Sequence, residues 1–328
     1  MTKNPEPVRL TSFVGTLAFL VIAELVLLRI GTRTLIHIPG LERYETPIRW
    51  LAEVGRFAYF AAVVFLIAVL VALAVRRLRR SGPVAVIGAL AAASFLLFAL
   101  AGRFLWIEPA AVGWAGMAAL VLALIGAVNL GRRIVPLALF TSGAVAAGWS
   151  ILAQGRGGGL SIQQVDSLLI VSEVMILLAA LSAPLLLQRP PSRRAILIGL
   201  GVTVLSAAVL SASPATMSIL VLWSFGAPGW LSGLAYSLAL GSVVMVAWAA
   251  LQSGEREIVI GLVLLAGGGI GMISTYQTGL VVAALLLMGD APAAPRITVA
   301  RLISSPLDET ARFHVAPAGS GGLRVLDS

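Results

Sequence analysis

Residues 57–80 read FAYFAAVVFLIAVLVALAVRRLRR. An uncharged apolar run stops abruptly at Arg76, Arg77, Arg79 and Arg80. An α-helix rises 1.5 Å per residue, so about 20 apolar residues match the roughly 30 Å hydrocarbon core of a bilayer. The stretch therefore reads as a membrane span ending in a positive cluster, and the same pattern recurs along the chain. Apolar runs follow at about 10–30, 50–75, 83–100, 110–130, 134–152, 165–188, 195–211 and 230–252, with a long last one over 258–289.

Composition agrees. Of 328 residues, 59% are hydrophobic and only 11% charged. Soluble domains carry about 45–50% and about 25%. Mean hydropathy is +1.01. The fold class is an all-α, polytopic transmembrane helical bundle of about nine or ten spans over 1–289. A polar tail over 290–328 reads either as a small β-hairpin or as unstructured chain.

Charge sets the expected topology. Lys3 is the one lysine among 23 basic residues, and the rest are arginine. The net charge of +9 does not point to nucleic acid, because the arginines cluster between spans, at 76–80, 132–133 and 189–194. That is the positive-inside pattern, and it places the N-terminus in the cytoplasm of a multi-pass cell-membrane protein. Trp50, Trp106 and Trp149 then fall near the outer interface. Arg76, Arg77, Arg79, Arg80, Arg132, Arg133, Arg193 and Arg194 are candidate contacts for anionic lipid headgroups.

Glu255-Arg256-Glu257 is net acidic and is expected outside. That makes the short apolar run between Pro214 and Gly229 a crossing, for ten spans in all; if that run is re-entrant, there are nine and the C-terminus lies outside. The last run, 32 residues, would form a helix about 48 Å long, too long for one straight span. Gly267-Gly268-Gly269-Ile270-Gly271 and Ser274-Thr275-Tyr276-Gln277-Thr278 interrupt it. Such an interruption fits a broken helix lining a solute site, a GxxxG contact with another helix, or a turn between two short segments.

Cofactor chemistry finds little to work with. There is no cysteine, hence no disulfide, thiolate metal site or cysteine nucleophile. His37 and His314 both lie outside the expected spans, which leaves no histidine pairs for a buried haem. No cofactor is expected. Gly157-Gly158-Gly159 lacks the GxxxxGK[ST] pattern of a phosphate loop, and no serine has a histidine base placed near it.

The candidates that remain are intramembrane acids, which are costly and mark function more often than other positions. Glu24, Asp166 and Glu173 fall in the expected outer half, Asp166 and Glu173 two helical turns apart on one face. They form a candidate cation- or proton-binding set, together with Ser274, Thr275, Tyr276 and Gln277. The plainer reading makes them packing or headgroup-level groups. Glu53 has Arg49 at i−4 and Arg56 at i+3, so a local ion pair accounts for it. The chain is expected to be a transporter- or permease-like protein for a small solute or lipid. The alternative is a cofactor-free subunit embedded in a larger membrane complex. An enzyme has no visible catalytic constellation.

Overall fold

A computed structural model describes residues 6–31, 45–79, 82–104, 108–155, 160–212, 229–268 and 274–290. No strand occurs among them, and the fold is an all-α helical bundle. The helices are α1 (Glu6–Glu24), α2 (Glu45–Leu78), α3 (Pro83–Arg103), α4 (Pro109–Ile125), α5 (Ile134–Gly155), α6 (Ile162–Leu181), α7 (Arg193–Ala212), α8 (Gly229–Ser253), α9 (Arg256–Gly268) and α10 (Thr275–Asp290). Among the described residues, five helical stretches are long and apolar enough to cross a membrane by themselves: 46–78, 83–103, 131–153, 162–181 and 233–253. The tail from 291, and with it the expected hairpin, lies outside the described residues.

Local chemistry sets the helix starts. Pro83 and Pro109 occupy first-turn positions, where a missing N–H costs nothing. Gly82, at φ 134°, turns the chain into α3. Ser161 and Gln164 form a reciprocal capping box that opens α6. Gly131, at φ 59° and ψ −123°, kinks a 3-10 turn over Val128–Arg133 before α5.

Successive helices run antiparallel, and small residues let them approach. Phe13 of α1 lies against Phe65 of α2, with ring centroids 6.0 Å apart. Leu28, in the π-helical turn Leu25–Gly31 after α1, covers Gly55 of α2. Gly88 of α3 meets Gly126 at the end of α4 so closely that a Cβ on Gly126 would sit 2.8 Å from the Gly88 Cα. Gly199 and Gly241 bring α7 and α8 together. Gly261 lies under Met288, and Gly268 under Val281, which makes α9 and α10 an antiparallel hairpin.

The hairpin resolves the last apolar run into two short segments. At about 20 and 24 Å, neither helix alone spans the roughly 30 Å hydrocarbon core. Yet α10 is the most deeply buried element described: each residue from Leu280 to Leu286 is at 0% exposure. It packs on α2, α3, α4 and α9. Gly267 faces Val21 of α1 and Leu280 of α10, which is the helix-packing role.

One end of the bundle collects the arginine clusters of 76–79, 132–133 and 193–194. The Arg77 guanidinium donates to the Gly126 carbonyl (2.7 Å) and the Leu286 carbonyl (2.8 Å), and pairs with Asp290 (3.1 Å). Arg133, at 0% exposure, donates from Nε to the Leu186 carbonyl (2.7 Å) and pairs with Glu255 (3.4 Å). Arg132 donates to the carbonyls of Leu187 and Gln188. These contacts correct two expectations. Glu255 lies at the arginine end, not opposite it, because its carboxylate also accepts from the Gln188 N–H (3.2 Å) and the Ser253 hydroxyl (3.0 Å). Arg77 and Arg133 are not headgroup contacts, because the protein's own carbonyls and acids enclose them. Arg79, Arg193 and Arg194 are exposed and Arg76 is half-exposed; Arg80 lies outside the described residues.

With Glu255 so placed, α7 begins and α8 ends at the arginine end, and Ser192 donates to Gln252 across them (2.8 Å). The short run between Pro214 and Gly229 lies outside the described residues; the helix ends it joins are both at the opposite end.

Two measurements check this packing. Arg133→Gln strips a buried partner from Glu255 and is expected to cost about 3–5 kcal/mol, with a smaller loss when Glu255→Gln accompanies it, read as thermal melting in detergent. Gly126→Ala is expected to destabilise by about 1–3 kcal/mol because its Cβ meets backbone. Gly201→Ala, with nothing within 4 Å, is expected to be neutral or mildly stabilising.

Candidate functional site

The candidate residues of the interior fall into two groups. The first surrounds the tip of the α9–α10 hairpin. Ser274 caps α10: its hydroxyl accepts from the Gln277 N–H (3.2 Å) and donates to Gln277 Oε1 (3.3 Å). Thr278 returns its hydroxyl to the Ser274 carbonyl (3.4 Å). Thr275 is exposed, Gln277 half-buried and Tyr276 buried. The Tyr276 ring stands edge-on to Tyr59 of α2, with centroids 4.9 Å apart at 75°.

Glu24 belongs to the same layer. Val21 and Leu280 meet at Gly267. Glu24 lies one turn beyond Val21 on the same face of α1, and Tyr276 one turn beyond Leu280 on α10. Both steps lead away from the arginine end. Glu24 is 2% exposed, and α1 ends at it, passing into the π-helical turn Leu25–Gly31. π-turns inside helices concentrate at functional sites. An acid at 2% exposure in an apolar bundle is costly unless polar groups or a ligand offset its charge.

The second group lies elsewhere. Glu173 of α6 is half-buried and hydrogen-bonded to the Tyr236 hydroxyl of α8. Asp166, two turns earlier, is exposed near the start of α6. α1 packs on α2 and α9, whereas α6 packs on α5 and α8. Glu24 and Glu173 thus sit on helices with different neighbours, and the single cavity expected from Glu24, Asp166 and Glu173 divides into two places. Glu53 pairs with Arg56 at 2.7 Å on the exposed face of α2, as its spacing implies.

At the end opposite the arginines, Trp149, Leu160, Gln164, Ser167, Leu168 and Val171 line an open apolar crevice of about 360 Å³ between α5 and α6. Trp114 stands edge-on to Trp149, 6.1 Å between centroids. With Trp50 at the same end of α2, these rings fit an interfacial belt; Trp106 lies outside the described residues. No group of three or more His, Asp or Glu that would hold a metal occurs among the described residues.

The sequence reading missed Tyr59, Tyr236, Asp290 and the partnership of Arg133 with Glu255. A signal for the first two was present. The chain has four tyrosines, and the three that fall in apolar runs, Tyr59, Tyr236 and Tyr276, all end up in these two groups.

Comparison of the chain with protein-family models, curated proteins and solved structures found no match. The apolar helices identify a membrane protein in contact with the lipid bilayer.

Tyr236→Phe is expected to cost about 1–3 kcal/mol, because it removes a donor from a half-buried acid. Glu173→Gln, which keeps an acceptor for the phenol, is expected to cost less. Thermal melting of both variants in one detergent checks the order.

Proposed function

We propose that the chain is a multi-pass cell-membrane transporter whose binding layer lies at the tip of the α9–α10 hairpin. The observation that carries this reading is the hairpin itself: two short helices end inside the bundle, with Ser274–Gln277 at their junction and Glu24 on the adjoining helix. Interrupted helices that meet within a membrane domain give polar backbone and side chains a place where solute can replace water. Glu24 supplies the charge, and Ser274, Thr275, Tyr276 and Gln277 the neutral donors and acceptors. A carboxylate in that layer favours a cation or a protonated solute. Glu173 with Tyr236 forms a second polar station between α6 and α8, and Asp166 marks its exposed approach.

Positive-inside logic puts the arginine end, and α1's first residue, in the cytoplasm. Arg76, Arg79, Arg193 and Arg194 remain placed for anionic headgroups.

A second reading, a cofactor-free subunit of a larger complex, is favoured by one observation. Only 17% of the spanning window of α6 is buried within the chain, which leaves a broad apolar face for lipid or for a partner helix.

Purification in mild detergent with size analysis separates the two: a stoichiometric set of partner chains overturns the lone transporter. With a homogeneous protein in proteoliposomes, cation-driven uptake or proton movement is expected. Glu24→Gln is expected to lower it roughly tenfold or more while melting stays unchanged. Full activity in a folded Glu24→Gln protein would remove Glu24 from the site.

A further inference from the structure

The last turn of α10, the helix that carries the proposed site, is held by a set of directional bonds at the arginine end. From Gly279 to Gly289, α10 has no side chain able to hydrogen-bond. Its packing on α2, α3 and α4 over that length is apolar and has no preferred register beyond shape. Directional contact returns at its last turn, where Arg77 of α2 donates to the Leu286 carbonyl and pairs with Asp290. Both charged side chains are 3% exposed. The same guanidinium donates to Gly126 at the end of α4. Its cradle is made of glycine: a Cβ on Gly88 would run into the guanidinium, and one on Gly289 would sit 2.8 Å from Nη2.

Asp290 also has a second arginine within reach. Arg76 Nε lies 3.8 Å from Oδ2, and its side chain is 41% exposed. A rivet would need only the buried partner. Two adjacent partners, one enclosed and one at the aqueous edge, let the acid change hands without standing alone in an apolar medium, which is the costly step in breaking a buried pair.

We infer that Arg77 and Asp290 form a latch that closes the hairpin layer toward the arginine end. Transfer of Asp290 from Arg77 to Arg76, its neighbour on α2, frees the last turn of α10 to move away from the end of α4 toward the aqueous edge of α2. The inference rests on the transport reading, but its test needs no solute.

The chain has no cysteine, so a single introduced thiol reports access. Ala284→Cys places it on α10 at a position of 0% exposure, nearly two turns inward of Asp290. Arg193→Cys, at an exposed position of the same end, sets the unhindered rate. In lipid nanodiscs treated with a bulky, membrane-impermeant maleimide, Ala284→Cys alone is expected to label slowly. Adding Asp290→Asn is expected to speed labelling roughly tenfold or more, with elution close to the parent and a lowered melting temperature. Adding Arg76→Gln is expected to slow it below the parent rate. A folded Asp290→Asn protein that labels at the parent rate overturns the latch. Acceleration by Arg76→Gln overturns the hand-off. Should Asp290→Asn not fold, Asp290→Glu keeps the charge at a longer reach and is expected to give a smaller acceleration; no acceleration there overturns the latch equally. Latch behaviour without flux would sink the transport reading alone, and flux without latch behaviour would sink the latch alone.

Discussion

The last carbonyls of a helix have no partner within it, and inside a membrane protein water does not readily supply one. Here arginine does. Arg77 serves the ends of α4 and α10, Arg133 serves Leu186 in the 3-10 turn that follows α6, and Arg132 serves the two residues after it. Each guanidinium is a planar fork of five donors that stays charged, so one side chain can meet carbonyls on two helices and a carboxylate at once. Lysine offers a single compact ammonium on a flexible stem. Cation and helix C-terminus also match electrostatically. Among the described residues, the arginine end is therefore where several helix ends are satisfied by contacts between distant parts of the chain.

The opposite end is built differently. There the helices meet through small residues and rings: Gly102 beside Val112, Gly113 beside Leu152, Trp114 on Trp149. Such contacts give area without direction. A buried ion pair is a weak source of net stability but strongly resists the loss of either partner, whereas dispersion between apolar surfaces yields gradually as they slide. Among the described residues, charge thus ties distant segments together at one end, and shape fits the helices together at the other. The polar layer of Glu24, Tyr59 and Ser274–Gln277 lies beyond the buried stretch of α10, toward the opposite end.

How far the sequence disclosed this differs by level. Hydropathy suffices for the all-α membrane class, because the period of apolar runs reflects bilayer thickness alone. The irregularity at 267–278 was visible as glycines and small polar residues in an otherwise apolar run. The order of the ends was not legible at Glu255. A net-acidic tripeptide reads as an outer loop when only loop charge is counted, and the pairing that reverses the reading comes from Arg133, 122 positions earlier. For the same reason Arg77 and Arg133 look like loop charges: nothing local distinguishes an arginine facing a headgroup from one folded back onto carbonyls of other helices. The joint cavity of Glu24 and Glu173 failed because depth in the membrane can be read from sequence position, but the azimuth of one helix around another cannot.

The distribution of acids and their donors then carries a functional distinction. At the arginine end, Asp290 and Glu255 face guanidinium groups. Within the interior, Glu173 faces a phenol, and Glu24 lies in the layer of Tyr59 and Tyr276. A guanidinium holds its acid by charge as well as by hydrogen bonds. A phenol donates one neutral hydrogen bond and no charge. Where the bundle must hold, acids are matched to arginine. Glu173, between α6 and α8, is matched to a tyrosine instead, which gives direction without a second charge.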